Sequence, residues 1–122
     1  MSNSFTVLNN DISEVTASKD LDLKAQIETL LGSSKVVLFM KGNAEMPQCG
    51  FSANTVAILK HLAVPFKTFN ILNDADIRQG LKEFSNWPTY PQLYIGGKLI
   101  GGNDIITEMY KSGELQEYLK NN

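Results

Sequence analysis

The chain has 122 residues, 11 Lys and Arg against 13 Asp and Glu for a formal net charge of -2, 43% hydrophobic and 20% charged residues. These values fit one ordinary globular domain and exclude a broad basic surface for nucleic acid or anionic lipid. The longest apolar run, Val36 to Met40, is far short of the roughly 20 residues that cross a bilayer, and a single cysteine excludes an internal disulfide.

Residues 1–20 are polar and weakly patterned, contain no arginine and lack the apolar segment of a signal peptide. They predict an amino-terminal extension ahead of a domain over residues 21–122. A reducing compartment fits the lone cysteine. The cytoplasm is the expectation, with an organelle after removal of a transit peptide left open.

Leu23, Ile27, Leu30 and Leu31 recur at helical spacing, and the run stops at Gly32. Val36 to Met40 is continuously apolar, as in a strand covered on both faces. The segment KGNAEMPQ, residues 41–48, reads as a loop because Gly42, Asn43 and Pro47 break periodic structure. Val56, Leu59 and Leu62 predict a helix that begins just after Cys49. The next strand is PFKTFNI, residues 65–71, followed by a helix capped by Asp74 with Ile77, Leu81 and Phe84 facing inward. PQLYIGGKLIGG, residues 91–102, has the composition of a hairpin turning at Gly96 and Gly97, and a closing helical segment is interrupted at Gly113. A βαβ unit is thus joined to a ββα unit. The fold class is α/β, thioredoxin-like, with a four-stranded mixed sheet flanked by helices.

A lone cysteine is most often a small buried hydrophobe. The setting of Cys49 argues otherwise. It follows a proline-containing loop and precedes a helix, whose amino-terminal amides favour a thiolate, and Lys41 at the end of the preceding strand adds a cation. A thiolate is both a nucleophile and a soft metal ligand. As a nucleophile, Cys49 has no second thiol to resolve a mixed disulfide, because Ser52 stands where one would be. As a ligand, one thiolate is too few for an iron–sulfur cluster, which takes four sulfurs. Two protomers supply two of them. Either chemistry needs a thiol from solution, and glutathione is the abundant one in cells. His61, the only histidine, reads as a surface side chain.

The blocks MKGNAEMPQCGFS, IRQGLKEFSNWPTYPQLYIGGKLIGGNDI and EMYKSGEL, spread over about residues 21–120, resemble the monothiol glutaredoxins of the CGFS type, especially the short single-domain members. The resemblance implies a glutaredoxin fold with a glutathione groove beside Cys49. In it Lys41 and Arg78 would hold the glycine carboxylate, Arg78 with two parallel bonds. The Tyr90 main chain, before a cis bond to Pro91, would pair with the tripeptide like an added strand. Gly102 and Asn103 would receive the γ-glutamyl carboxylate on helix-terminal amides while Asp104 meets its ammonium group. Phe51 would wall the sulfur side, and Trp87 with Pro88 would brace the loop before Pro91.

Many members of that family have cysteine where this chain has Asn103, so no disulfide to Cys49 is available here. By resemblance the chain would be an iron–sulfur carrier. Two copies would share one [2Fe-2S] cluster through both Cys49 thiolates and two glutathiones, then deliver it to apo-proteins, with a BolA-type partner and a link to iron regulation. The long loop KGNAEMPQ favours that role over the alternative, a glutathione-dependent reductase of mixed disulfides using Cys49.

Overall fold

The computed structural model describes residues 12–122, with side chains from Asp22 onward. Helix α1 (Ile12–Leu31) is followed by strand β1 (Val36–Met40), α2 (Gly50–His61), β2 (Lys67–Asn70) and α3 (Ala75–Ser85). The chain continues through β3 (Gln92–Ile95), β4 (Lys98–Gly101), α4 (Asn103–Ser112) and α5 (Glu114–Asn121). The sheet order is β2-β1-β3-β4. β1 runs parallel to β2, with Leu38 opposite Thr68, and antiparallel to β3, with Leu38 also opposite Leu93. β3 and β4 form the hairpin. The four-stranded mixed sheet of the thioredoxin-like class is therefore present.

The continuous apolar run of β1 is explained by its central place. Side chains alternate across a strand, so both faces of a covered strand must be apolar. Val36, Leu38 and Met40 pack with Val56, Leu59, Ile106 and Leu115 beneath α2, α4 and α5. Val37 and Phe39 face the other way, against Ile27, Leu31, Ile77 and Leu81 of α1 and α3.

Two details depart from the sequence reading, while the interruption expected at Gly113 is observed. Phe84, expected on the inner face of α3, is 41% exposed. It lies in the last turn of the helix, where it meets Leu31 and the Gly96–Gly97 turn around an open hollow. The closing helical segment is two helices, because Gly113 takes a left-handed φ of 87° that neither α4 nor α5 can include. A short 3₁₀ turn, Ile71–Asn73, also intervenes before α3. Of the expected extension over residues 1–20, residues 1–11 lie outside the described part, and the remainder belongs to α1.

Topology gathers three chain segments at one end of the sheet. β1 ends there and leads into the loop before Cys49. β3 begins there, after Pro91, because it is antiparallel to β1. β4 ends there at Gly101 and passes directly into α4.

Candidate functional site

Cys49 is the N-cap residue of α2, with extended backbone and its Sγ accepting the Ser52 N–H at 3.3 Å. Ser52 is fully buried, and its Oγ lies 3.2 Å from the same sulfur. The Oγ also accepts the Lys41 N–H at 3.2 Å. As a thiol, Cys49 donates to this Oγ; once it ionises, the hydroxyl proton can turn to the sulfur, and a thiolate is the better acceptor.

Burial pushes the Cys49 thiol up, but the net displacement is below the ordinary thiol value. The lowering comes first from the Ser52 hydroxyl, then from the Ser52 and Phe51 amides, and least from the Lys41 charge. The sequence reading named the helix terminus and Lys41. It gave Ser52 no part in the thiolate, and it did not foresee that Cys49 itself caps the helix. That reciprocal arrangement joins positions N-cap and N3, so the spacing of Cys49 and Ser52 was the available signal.

The loop before Cys49 is braced. Gly42 and Pro47 form a bridge, the Asn43 Oδ1 accepts the Glu45 and Met46 amides at 3.0 and 2.8 Å, and the Asn70 Oδ1 accepts the Gly42 N–H at 3.0 Å. Met46 in this loop and Phe51 after the cysteine are 67% and 63% exposed, so apolar surface flanks the thiol.

Beside Cys49 runs a groove of about 360 Å³. All eight residues named from the sequence as glutathione contacts line it: Lys41, Phe51, Arg78, Tyr90, Pro91, Gly102, Asn103 and Asp104. Cys49 is adjacent to the lining through its neighbours Lys41 and Phe51. Three cations, Lys41, Arg78 and Lys82, face one carboxylate, Asp104, which suits an anionic ligand with one ammonium group. Lys82 was missed, although four residues after Arg78 on one helix it had to share its face. Thr89 and Ile105 complete the lining unpredicted; Trp87 and Pro88, expected as braces, line it too.

The Tyr90–Pro91 peptide is cis, as the resemblance implied. The Tyr90 phenol is buried and donates to the Arg78 carbonyl at 2.6 Å, while desolvation raises its pKa beyond any useful range. Its main-chain groups have no partner among the described residues. Behind the loop, the fully buried Gln92 donates through Nε2 to the Trp87 and Thr89 carbonyls at 3.1 and 3.3 Å and accepts the Tyr94 hydroxyl at 2.9 Å. At Gly102, an added Cβ would lie 3.3 Å from both the Pro91 carbonyl oxygen and the Trp87 Nε1, so a side chain there would crowd this wall by a few tenths of an ångström.

α4 starts at this wall. Gly102 caps it without a side-chain hydrogen bond, which leaves the first-turn amides directed outward, the arrangement that receives carboxylates.

The glutaredoxin family model matches residues 36–100, more than half of the chain. An uncharacterized monothiol glutaredoxin, ycf64-like, of Synechocystis sp. is 56% identical over 99 residues, covering 81% of this chain and 92% of the relative. The chain belongs to the monothiol glutaredoxins.

This glutaredoxin is also 61% identical over 95 residues to monothiol glutaredoxin-S14, chloroplastic, of Arabidopsis thaliana, covering 78% of the chain but only 55% of that longer protein. The solution structure of reduced poplar apo GrxS14 superposes with a TM-score of 0.74 at 56% identity, covering 81% of this glutaredoxin and 91% of that chain. No helix among the described residues is long and apolar enough to cross a membrane.

Proposed function

We propose that this glutaredoxin carries a [2Fe-2S] cluster between two copies of itself and hands it to apo-proteins. The carrying observation is Cys49: a lone sulfur in a thiolate-favouring network, flanked by the exposed Met46 and Phe51 and adjoining a cationic groove. Among the described residues no group of three His, Cys, Asp or Glu could hold a metal ion, so a cluster would be shared. Two thiolates from two protomers and two from small thiols supply four sulfurs.

Glutathione fits the groove as the small thiol. Lys41, Arg78 and Lys82 suit its glycine carboxylate. The unpaired Tyr90 main chain suits its peptide, and the α4 amides with Asp104 suit its amino-acid end. A cargo held partly by exchangeable ligands is labile, which is what transfer requires. A BolA-type protein is the proposed hetero-partner, docking at the same apolar surround. The proposed compartment is the reducing cytoplasm, or a plastid as in the relatives named chloroplastic.

A second reading, glutathione-dependent reduction of mixed disulfides, draws on the same thiolate. The disulfide would exchange onto Cys49 and a second glutathione would release it. Anaerobic reconstitution with iron, sulfide and glutathione separates the two. The carrier reading expects a coloured dimer with about two iron and two glutathione per pair, absent in Cys49→Ser and without glutathione. A colourless monomer that rapidly turns over glutathione mixed disulfides would replace it with the enzyme.

A further inference from the structure

The amino terminus of α4 forms one wall of the groove, yet the Asn103 side chain there is engaged with another helix. Its Oδ1 accepts the Asn54 Nδ2 at 2.8 Å and the Thr55 Oγ1 at 3.2 Å. The Asn54 Nδ2 also donates to the Thr107 Oγ1 at 3.0 Å. Thr55 has one hydroxyl proton and also lies 3.1 Å from the Phe51 carbonyl, so the Asn54 amide is the stronger tie to Asn103. Asn54 is exposed, sits on α2 and takes no part in lining the groove.

This polar clasp joins the helix that begins at Cys49 to the helix that begins at Gly102. It therefore fixes the separation between the thiol and the α4 amides, the span that a bound tripeptide has to bridge. We propose that Asn54 is a positioning residue for ligand binding: through Asn103 it presets the first turn of α4, so that the groove holds its anion-binding amides in place before the ligand arrives. The inference rests on the glutathione reading of the groove. Its physical basis is preorganisation, since ordering that is already present in the free protein is not lost again on binding. Asn103 then serves the groove through its backbone amide, while its side chain works on α2.

The test is a titration of the full chain with reduced glutathione, read by the fluorescence of Trp87, the only tryptophan and a lining residue of the groove. Asn54→Ala should weaken binding roughly three- to tenfold, the scale of one lost hydrogen bond. Thr107→Val should weaken it less. The double variant Asn54→Ala with Asn103→Ala should bind no worse than Asn103→Ala alone, because both remove one contact. Hydrogen exchange of the amides at residues 106–108, the first to be bonded inside α4, should quicken in Asn54→Ala without ligand, a readout that general destabilisation elsewhere would not single out.

Wild-type affinity in Asn54→Ala, or additive effects of the two substitutions, would overturn the clasp and leave the glutathione reading intact. Absence of saturable glutathione binding by the wild-type chain would overturn the ligand reading and the clasp with it.

Discussion

Replacing Ser52 by Ala tests the thiolate network most directly. The substitution removes the hydroxyl that lies 3.2 Å from the Cys49 sulfur and 3.2 Å from the Lys41 amide nitrogen. A hydrogen bond to a charged group contributes about 1.5–3 kcal/mol. Its loss should therefore raise the Cys49 pKa, because that hydroxyl is the largest of the lowering contributions. The measurement is the rate of Cys49 alkylation against pH, whose midpoint reports the thiolate directly. A midpoint that stays in place, or moves down, would refute the assignment of Ser52 as the leading stabiliser.

The same substitution has a stability consequence with a definite sign. In the folded chain the Cys49 pKa is lowered, so folding favours the ionised form. That contribution is fully present above the pKa of the unfolded thiol and is lost as pH falls through the folded value. Ser52→Ala also leaves the Lys41 N–H without its acceptor, a cost of about 1–3 kcal/mol at any pH. Denaturant unfolding should therefore show a larger loss on the alkaline side of the thiol titration than on the acid side. Equal losses on both sides would mean that Ser52 supports the fold without favouring the thiolate.

Lys41→Gln should move the alkylation midpoint less than Ser52→Ala, because the Lys41 charge is the smallest contributor, while weakening glutathione binding more. Arg78→Ala and Lys82→Ala should each weaken glutathione binding a few-fold and reduce its salt dependence, measured by titration at several ionic strengths; a loss for Arg78 alone would remove Lys82 from the site. Gly42→Ala should cost roughly 1–3 kcal/mol in denaturant unfolding, since Gly42 has a φ of 88° and an added Cβ would overlap the Met46 carbonyl oxygen.

Local pattern carried most of the architecture into view. Val36 to Met40 was readable because a strand covered on both faces has no polar side to conceal it. Cys49 was readable as a helix start because the 3.6-residue period of α2 begins right after it. Phe84 was misread by extending the inner stripe of α3 into its last turn, where the side chain reaches an open hollow instead of the core. The parts of the site that escaped are those assembled by distant segments. Ser52 looks like an ordinary helix-start serine until β1 delivers the Lys41 amide to it. Gln92 looks like a strand polar residue until the Trp87 and Thr89 carbonyls arrive above it. Neither partnership has a spacing rule, because each depends on how separate elements meet at that end of the sheet.

The position of Ser52 also shows what a second, resolving thiol there would displace. The site is fully buried, and its side-chain oxygen already serves the Lys41 amide and the Cys49 sulfur. A cysteine at this position would replace a strong acceptor and donor with a weak one, leaving the Lys41 amide poorly satisfied and the thiolate without its main hydroxyl partner. Closing a disulfide would bring the two sulfurs to about 2 Å and remove the free thiolate. Serine favours the Cys49 thiolate and leaves its outer side open, and the resolving or ligating thiol has to come from outside the chain. Under the proposed glutathione reading, the adjoining groove, lined by Lys41, Arg78 and Lys82 and by the α4 amino terminus with Asp104, would hold that thiol.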